Sequence, residues 1–363
     1  MKYPALLSAE QVMSGLESYD SIIDVRSESE FALDHLPGAI NCPVLNDEER
    51  VQVGTIYKQQ SPFDAKKLGA ALVAKNIALH LENAFSDRDR TWRPLIYCWR
   101  GGNRSGAMAH ILAKIGWPVT QLEGGYREYR HQLLAQLESM PERFQFRVIC
   151  GTTGSGKSRL LETLDASGAQ VLDLEKLAAH RGSLLGGLPD EPQPGQKMFE
   201  SRIWDKLRSF STEQVIFVES ESKKIGNLRV PEKLMDKMRA SPCVRIDIST
   251  ESRVKLLIED YPHLVQDTAL LMSQLSHLVP LHGHEKIRAW HTLASSGNTP
   301  ALVTALLNEH YDPAYLKSID RNFSGYKNSV IVDMPDISQA SFAEAAHELM
   351  KQREAESIGV GLN

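Results

Sequence analysis

The chain has 363 residues, of which 42% are hydrophobic and 24% charged, and its formal net charge is −5. This length is too great for one ordinary core and predicts two or three domains, while the composition is that of a soluble globular protein. The net negative charge excludes a general polyanion binder, although a local basic face could still bind nucleic acid. No apolar run approaches the length of a membrane span.

Cysteine usage and the N-terminal sequence indicate a cytoplasmic protein. The four cysteines, Cys42, Cys98, Cys150 and Cys243, are widely spaced and show no paired metal-ligand spacing. This pattern fits a reduced cytosolic compartment better than a disulfide framework. The first residues contain no apolar signal-peptide core, so we expect a cytoplasmic protein without membrane attachment.

A first α/β domain is predicted over residues 1–138. Short apolar strands at 21–26, 94–97 and 119–126 alternate with segments of helical pattern, including an insertion over 51–80. Because strands that alternate with helices form parallel sheets, we expect a parallel sheet with helices on both faces.

A cysteine stands at the end of the 94–97 strand, before a glycine-rich loop and a predicted helix. Glycines let successive backbone N–H groups turn inward as an anion-binding nest, and the following helix N-terminus adds positive potential. Two arginines strengthen that field, so we expect a reactive thiolate that binds a chalcogen or an oxyanion. A buried structural cysteine is the alternative. The residues of this predicted site are Cys98, Arg100 and Arg104, with Gly101, Gly102, Asn103 and Ser105 forming its loop.

Four segments of the first domain resemble the successive signatures of a rhodanese domain, namely residues 24–26, 35–43, 98–105 and 122–126. One departure concerns the loop, because five residues separate Cys98 from Arg104, whereas sulfur-transferring rhodaneses typically have four. The longer loop resembles that of the rhodanese-like phosphatases. It implies a wider pocket, with room for selenium or a phosphate-sized anion.

A second domain is predicted over residues 139–363, and it begins with a phosphate-binding loop. A strand over 144–150 leads directly into the sequence GTTGSGKS and then a helix, which is the context that a P-loop requires. Backbone amides of such a loop cradle a diphosphate, while Lys157 reaches its outer oxygens and Ser158 can bind Mg²⁺. The predicted phosphate-binding residues are Gly151, Gly154, Ser155, Gly156, Lys157 and Ser158.

Acidic residues end or follow two further strands of the second domain. Asp173 follows an apolar run at 170–172, and Glu219 ends a strand at 215–219, with Glu221 close behind. Carboxylates at the carboxyl ends of parallel strands bind Mg²⁺ or an activated water beside a P-loop, so we expect a metal or general-base role. A solvated strand end is the alternative. No base-reading signature of a GTPase is present, so the phosphate ligand need not be a nucleoside triphosphate.

Basic residues near the same edge are candidates for contacts with substrate or nucleic acid. His180 and Arg181 precede a Gly- and Pro-rich loop at 186–195, and a loop this long inside a compact domain is usually functional. A purely structural histidine is the alternative. The basic run after residue 219 predicts either phosphate-backbone contacts or a solvated surface. Its residues of interest are Lys223, Lys224 and Arg229.

The pattern from about 251 to 325 is mainly helical, with apolar stripes typical of helix cores. Trp290 lies in a histidine-rich part of it, where stacking on a nucleobase is one interpretation. A last strand at 329–333 and a closing helix at 341–354 complete the chain. The predicted fold class is therefore α/β, with a rhodanese-like parallel-sheet domain followed by a P-loop α/β domain that contains a helical region.

The combination of the Cys98 loop, the P-loop and residues 217–226 resembles the tRNA 2-selenouridine synthase family over nearly the whole chain. The resemblance implies a bacterial transferase that replaces the sulfur of 2-thiouridine at the tRNA wobble position with selenium from selenophosphate. It also implies S-geranylation by geranyl diphosphate as the activating step, and selenophosphate synthetase as the source of the donor. Under this hypothesis Cys98 takes selenium as a selenopersulfide, and the P-loop binds the prenyl diphosphate with Mg²⁺.

Two functions of other classes stay open from the sequence. The loop length would suit a phosphatase that acts through a Cys98 phosphoenzyme, although no general acid is identifiable. The P-loop would suit a kinase or NTPase whose rhodanese domain only senses anions. The phosphatase predicts hydrolysis of an aryl phosphate, and the NTPase predicts nucleotide turnover without tRNA and tolerance of Cys98 loss.

Overall fold

The computed structural model describes residues 3–183, 185–188 and 191–359, with side chains described up to residue 351. The chain divides into two compact units. The first comprises the chain up to Leu137 together with Pro194–Asp205, and the second comprises Glu138–Gln193 and the chain from Lys206 onward. A segment from the middle of the chain therefore belongs to the first unit. Two residues of the predicted 186–195 loop, Pro189 and Asp190, lie outside the described residues.

The first unit is built on a parallel five-stranded sheet with the strand order β1-β5-β4-β2-β3. Its strands are β1 (Ala5–Leu7), β2 (Ser21–Asp24), β3 (Ala39–Asn41), β4 (Pro94–Tyr97) and β5 (Thr120–Leu122). The central strand β4 is buried at all four positions, as expected for a parallel sheet covered on both faces. The parallel sheet that the sequence predicts is confirmed.

Two helices of the first unit begin with a capping box. Ser27 is the N-cap residue of α2, and Asn46 is the N-cap residue of α3. In each case a glutamate three residues later completes the capping box. The predicted helical insertion over 51–80 is the α3–α4 pair. The helices are α1 (Ala9–Met13), α2 (Glu28–Leu33), α3 (Asp47–Gln59), α4 (Pro62–Glu82), α5 (Asn103–Ile115) and α6 (Gly125–Ser139).

The second unit is built on another parallel five-stranded sheet, with the strand order β12-β11-β6-β8-β7. Its strands are β6 (Phe146–Cys150), β7 (Gln170–Leu172), β8 (Ile216–Glu219), β11 (Pro242–Ile248) and β12 (Gly325–Met334). A separate antiparallel hairpin is formed by β9 (Lys224–Ile225) and β10 (Leu228–Arg229). Cys150 and Cys243 lie in strands, Cys42 follows β3, and all three are buried free thiols.

Helices occupy the predicted helical stretch of the second unit, and α17 closes the chain. Trp290 on α14 is only 1% exposed and packs in the core of this helical region, so the stacking role suggested for it is wrong. No helix in the described ranges is both long and apolar enough to cross a bilayer. The helices after α6 are α7 (Lys157–Ala166), α8 (Leu174–Leu177), α9 (Gln196–Arg208), α10 (Glu232–Arg239), α11 (Thr250–Asp260), α12 (Pro262–Gln266), α13 (Thr268–Ser276), α14 (Val279–Ser295), α15 (Thr299–Leu306), α16 (Asp312–Asn322) and α17 (Gln339–Gly359).

The segment Pro194–Asp205 contains most of α9 and packs entirely with the first unit. Its contacts are specific: Tyr129 donates to Ser201 Oγ at 3.2 Å, and Trp204 Nε1 donates to a side-chain oxygen of Gln136 at 2.7 Å. Arg130 forms an ion pair with Glu200 in the same contact. Because these partners lie on α6 and are mostly buried, α9 completes the core of the first unit.

Candidate active sites

Cys98 follows β4 directly and faces the turn that leads into α5. Gly101 and Gly102 in this turn adopt φ values of +70° and +73°, and Gly102 is the residue that precedes the helix. Only glycine takes this left-handed conformation without strain, which explains why two glycines occur here. The turn therefore aims the first N–H groups of α5 toward the position where the sequence predicts an anion.

Polar contacts fix the Cys98 sulfur inside its own loop. The Ser105 hydroxyl donates to Sγ at 3.3 Å, and Gln121 Nε2 in turn donates to Ser105 Oγ at 3.0 Å. Cys98 is 1% exposed. Ser105 is thus more than a backbone element of the loop, because its hydrogen bond would stabilise negative charge on the sulfur.

The two arginines of this site differ in their partners. Arg104 donates to Glu30 from both terminal nitrogens, at 2.9 and 3.4 Å. Burial alone would raise the pKa of Glu30, but the hydrogen bond and charge of Arg104 lower it below its usual value. Arg100 is exposed, and no described residue pairs with it. Part of the predicted positive field is therefore neutralised by Glu30, and Arg100 is the cation available to an incoming anion.

A neighbouring turn supports the Cys98 loop through backbone contacts. Tyr126 N–H donates to Cys98 O at 2.8 Å, and Arg127 N–H donates to Trp99 O at 3.1 Å. A side chain at Gly125 would bring its Cβ to 2.3 Å from Cys98 O. Gly125 is therefore required by close packing against the Cys98 loop, which explains the second glycine of the pair in the last rhodanese-like segment.

The P-loop repeats the same local geometry in the second unit. It connects β6 to α7, and Gly156, with φ +84°, precedes the helix as Gly102 does in the first unit. Lys157 Nζ donates to Gly151 O at 2.8 Å, so its ammonium lies across the loop. This position allows Lys157 to exchange a backbone oxygen for a phosphate oxygen.

Side chains from distant elements fix the P-loop backbone. Tyr315 on α16 accepts from Gly151 N–H at 2.8 Å. Arg253 on α11 donates to Thr153 O at 2.9 Å and forms a two-point ion pair with Asp312 at 2.9 and 2.6 Å. The loop is thus anchored at two points by the helical part of the unit.

Acidic side chains gather beside Ser158. Glu175 Oε2 accepts from the Ser158 hydroxyl at 3.2 Å, and Glu175 N–H donates to Glu219 Oε1 at 2.8 Å. The second oxygen of Glu219 and the hydroxyl of Ser155 are buried and have no partner among the residues that the structure describes. Two orphaned polar atoms beside a P-loop fit a site that is completed by a phosphate and a cation.

The protonation of these carboxyl groups is strongly perturbed. Burial, followed by the neighbouring acidic residues, raises the pKa of Glu219 well above its usual range. The same causes raise the pKa of Glu221 to about 8, and burial raises that of Asp173 to about 6. Asp173 also caps α8 by accepting from Lys176 N–H at 2.8 Å. A bound divalent cation would supply the positive charge that this cluster lacks.

The described residues contain no group of three or more His, Cys, Asp or Glu side chains that could bind a metal by themselves. Mg²⁺ commonly uses one or two protein ligands together with phosphate oxygens. Ser158 and Glu175, whose side-chain oxygens lie 3.2 Å apart, fit this arrangement. Glu219 adjoins Glu175 and has one buried oxygen without a partner among the described residues. A cation would therefore bind together with a phosphate ligand.

A cavity of about 740 Å³ opens over the P-loop. His180 and Arg181 line it, and Arg181 lies over the Tyr261 ring at 4.8 Å. Burial lowers the pKa of His180, and its Nδ1 accepts from Gly182 N–H at 3.1 Å, so the ring is neutral at pH 7. The structure thus brings both predicted residues to the phosphate site.

The basic run lies elsewhere in the second unit. Lys224 and Arg229 face each other across the β9–β10 hairpin, and with Lys223 they are exposed. None of the three lines the cavity over the P-loop. They form a separate basic surface suited to contacts with a polyanion rather than with the phosphate ligand.

Sequence reasoning missed Glu175, Arg253 and Tyr315. Glu175 follows the predicted Asp173 by two residues, so the acidic pair could have suggested it. Arg253 and Tyr315 lie 100 or more residues from their P-loop partners, and no local pattern distinguishes them from ordinary helix residues.

Comparison with known proteins matches two family models to successive parts of the chain. Residues 8–132 match the rhodanese-like domain model, and residues 144–278 match the model of the tRNA 2-selenouridine synthase AAA domain. A tRNA 2-selenouridine synthase of Hydrogenovibrio crunogenus is 33% identical over 81% of this chain and 88% of its own length. The chain belongs to the tRNA 2-selenouridine synthase family.

Other members of the family are similar to this chain to a comparable degree. The Bdellovibrio bacteriovorus tRNA 2-selenouridine synthase is 31% identical over 83% of this chain and 89% of its own length. The Nitrosomonas europaea synthase is 38% identical over 66% of this chain. That alignment spans 63% of the Nitrosomonas protein.

Proposed function

We propose that this chain replaces the sulfur of 2-thiouridine at the tRNA wobble position with selenium from selenophosphate. S-geranylation by geranyl diphosphate is the activating step. The observation that supports this proposal is that this chain, a member of the family, contains two turns of the anion-binding type. One turn encloses the Cys98 sulfur, which is 1% exposed, and the other opens into a cavity of about 740 Å³.

Alkylation is assigned to the P-loop. In this step the thiouridine sulfur attacks C1 of the geranyl group, the C–O bond to the diphosphate breaks, and the proton on N3 is lost to water. Lys157 and the backbone N–H groups of the loop stabilise the departing diphosphate. Mg²⁺ held by Ser158, Glu175 and Glu219 would neutralise the charge that develops on the same group.

Selenation is assigned to the Cys98 loop. Alkylation converts the sulfur into a better leaving group, so selenium can displace geranylthiol at C2 of the base. Arg100 and the N-terminus of α5 bind the phosphate part of selenophosphate, and Ser105 positions the Cys98 sulfur beside it. Selenium remains at the selenide level in this step: its attack on C2 breaks the C2–S bond, geranylthiol leaves with a proton from water, and hydrolysis of the P–Se bond releases phosphate. A selenopersulfide on Cys98 would need a two-electron oxidant, so Cys98 positions the donor in this scheme.

Partners and compartment follow from the same proposal. The substrate is a tRNA with 2-thiouridine at the wobble position, and a selenophosphate synthetase supplies the donor in the cytoplasm. The exposed basic surface of Lys223, Lys224 and Arg229 suits the tRNA backbone. His180 and Arg181 line the phosphate cavity, where they suit the diphosphate or the reacting nucleotide.

The decisive experiment compares wobble nucleosides by mass spectrometry from cells with and without the gene. We expect selenouridine to disappear and 2-thiouridine to accumulate when the gene is absent. Unchanged selenouridine would contradict the proposal. Hydrolysis of an aryl phosphate, or tRNA-independent nucleotide turnover by the purified chain, would favour the phosphatase or the NTPase instead.

A further inference from the structure

An apolar pocket of about 70 Å³ lies in the helical part of the second unit. Its walls come from α11, α12, α13 and α15, and almost all of its lining side chains are aliphatic or aromatic. Among the described residues that line it, the hydroxyl side chains without a ring are those of Thr153, Ser183 and Thr299. The aliphatic lining consists of Leu185, Leu257, Ile258, Leu264, Val265, Leu271, Leu302, Val303, Leu306 and Leu307.

This pocket adjoins the cavity over the P-loop. Thr153, Ser183, Leu257, Tyr261 and Tyr311 line both spaces. A ligand that fills both must have an anionic end at the P-loop and an apolar end among the leucines. A nucleotide does not meet this requirement, because its ribose and base are polar and need hydrogen-bonding partners.

We propose that the apolar pocket binds the hydrocarbon tail of the prenyl diphosphate and that α15 sets the length of chain accepted. This inference rests on the proposed alkylation and locates the substrate within it. The tail enters between Tyr261 and Tyr311, and Leu302, Val303 and Leu306 of α15 form part of the wall beyond them.

The size of the pocket fits this assignment. One water molecule needs about 10–15 Å³ of cavity volume, and a carbon atom of a hydrocarbon chain needs about as much. A volume of 70 Å³ therefore accommodates about one five-carbon isoprene unit. The distal unit of a geranyl group then fills the pocket, and the unit attached to the diphosphate lies at the mouth, between the two tyrosines. Each CH₂ that leaves water strengthens binding about fourfold, so the pocket favours ten carbons over five by a large factor.

The test measures affinity of the full-length chain for dimethylallyl, geranyl and farnesyl diphosphate by calorimetry. Val303→Phe fills the pocket. We therefore expect the affinity for geranyl diphosphate to fall about tenfold or more, while the affinity for dimethylallyl diphosphate is unchanged. Leu306→Ala enlarges the pocket and should strengthen farnesyl relative to geranyl diphosphate.

Matched variants separate these effects from loss of stability. Thr304→Phe adds the same ring one residue along α15, at a position that lines neither space. Leu278→Ala removes a leucine of the same helical core, 1% exposed, that does not line the pocket. Neither control should change the preference between chain lengths.

Two outcomes would overturn the inference, and they are distinguishable. If the wild-type chain geranylates tRNA but the preference is unchanged in Val303→Phe and Leu306→Ala, the tail binds elsewhere and the proposed function stands. If the wild-type chain binds geranyl diphosphate no better than inorganic pyrophosphate and alkylates no tRNA, the alkylation step falls as well. If either Val303→Phe or Leu306→Ala does not fold, the chain-length preference of the other variant decides between these outcomes.

Discussion

The Cys98 turn and the P-loop share one backbone design and differ in what holds it. In both, a buried parallel strand ends in a turn whose last residue is a left-handed glycine, Gly102 or Gly156, before a helix. The Cys98 turn is supported mainly by nearby backbone and by Gln121 of the adjacent strand. The P-loop is anchored by side chains from helices 100 or more residues away.

This difference shows that an anion-binding turn does not fix its own chemistry. The turn supplies N–H groups and helix potential in both places. What distinguishes the two sites is the side chain at the turn and the charge around it. A buried sulfur with one free arginine suits group transfer, whereas an ammonium beside carboxyl groups suits a diphosphate with a cation.

The largest expected effect comes from removing the functional side chain of each turn. Cys98→Ser should reduce selenation of geranylated tRNA to background and leave geranylation intact. Lys157→Ala should reduce geranylation by about 10²–10³-fold, since it removes a charged contact to the leaving group, and leave selenation of geranylated tRNA intact. Quantitative mass spectrometry of the wobble nucleoside measures both steps.

Two results would contradict the assignment of geranylation to the P-loop and of selenation to the Cys98 turn. If Cys98→Ser selenates geranylated tRNA at the wild-type rate, the sulfur has no role in selenium transfer. If Lys157→Ala geranylates normally, the P-loop does not bind the prenyl donor.

The second prediction tests the distant anchor of the P-loop. Arg253→Leu should lower the free energy of unfolding by about 3 kcal/mol or more, because it leaves Asp312 and Thr153 O without their partner. Urea unfolding measures the loss. Lys255→Leu removes a cation from the same helix that pairs with exposed Glu251, and it should cost about 0.5 kcal/mol or less. Equal effects of the two variants would mean that the anchor is unimportant.

The third prediction concerns the buried carboxyl groups beside the P-loop. The pKa of Glu221 rises from 4.5 to about 8 in the folded chain. The folded state therefore retains a proton that the unfolded state loses above pH 4.5, so stability falls as pH rises toward about 8. In the presence of EDTA, the Tm of Glu221→Gln should fall less between pH 5 and pH 8 than the Tm of the wild type. A shift of several degrees is expected, since 1 kcal/mol moves Tm by about 2–4 °C in domains of this size.

Calorimetric melting at several pH values measures this dependence. Glu213→Gln, at an exposed position before β8, provides the control with the same change of charge. Parallel pH profiles for wild type and Glu221→Gln would show that this carboxyl group does not titrate as the structure indicates.

The smallest effect is expected at Glu30, which pairs with Arg104. Glu30→Gln keeps the capping box of α2, because glutamine serves there as well as glutamate. It also releases Arg104 toward the Cys98 loop, so selenophosphate should bind about 3- to 10-fold more tightly. Glu28→Gln changes the same charge on the same helix without contacting Arg104 and should have little effect. Single-turnover selenation at varied donor concentration distinguishes them.

Local patterns predicted what depends on neighbours in sequence. The strands before Cys98 and Gly151, the glycines of both turns and the helices after them are all set within about ten residues, and the structure confirms them. The placement of His180 and Arg181 at the phosphate cavity also followed, because the loop leaves the sheet at its carboxyl edge.

Other features depend on contacts that no local pattern encodes. The pairing of Arg104 with Glu30 joins two helices of the first unit, so the loop sequence alone overstates the positive field at Cys98. Trp290 was misassigned because a basic, histidine-rich helix resembles a nucleic-acid surface, whereas the indole packs inward among leucines. Helix residues such as Tyr315 acquire their role only when the chain folds back.

The position of α9 has a consequence for how the chain is made. During synthesis Leu137 is added well before Asp205, because β6, α7 and β7 of the second unit are synthesised in between. The nascent first unit therefore waits for roughly 70 more residues, on the order of ten seconds, before Phe199 and Trp204 arrive to cover its core. During that interval α6 exposes the surface that α9 will bury, so vectorial synthesis makes this surface a natural place for chaperone capture.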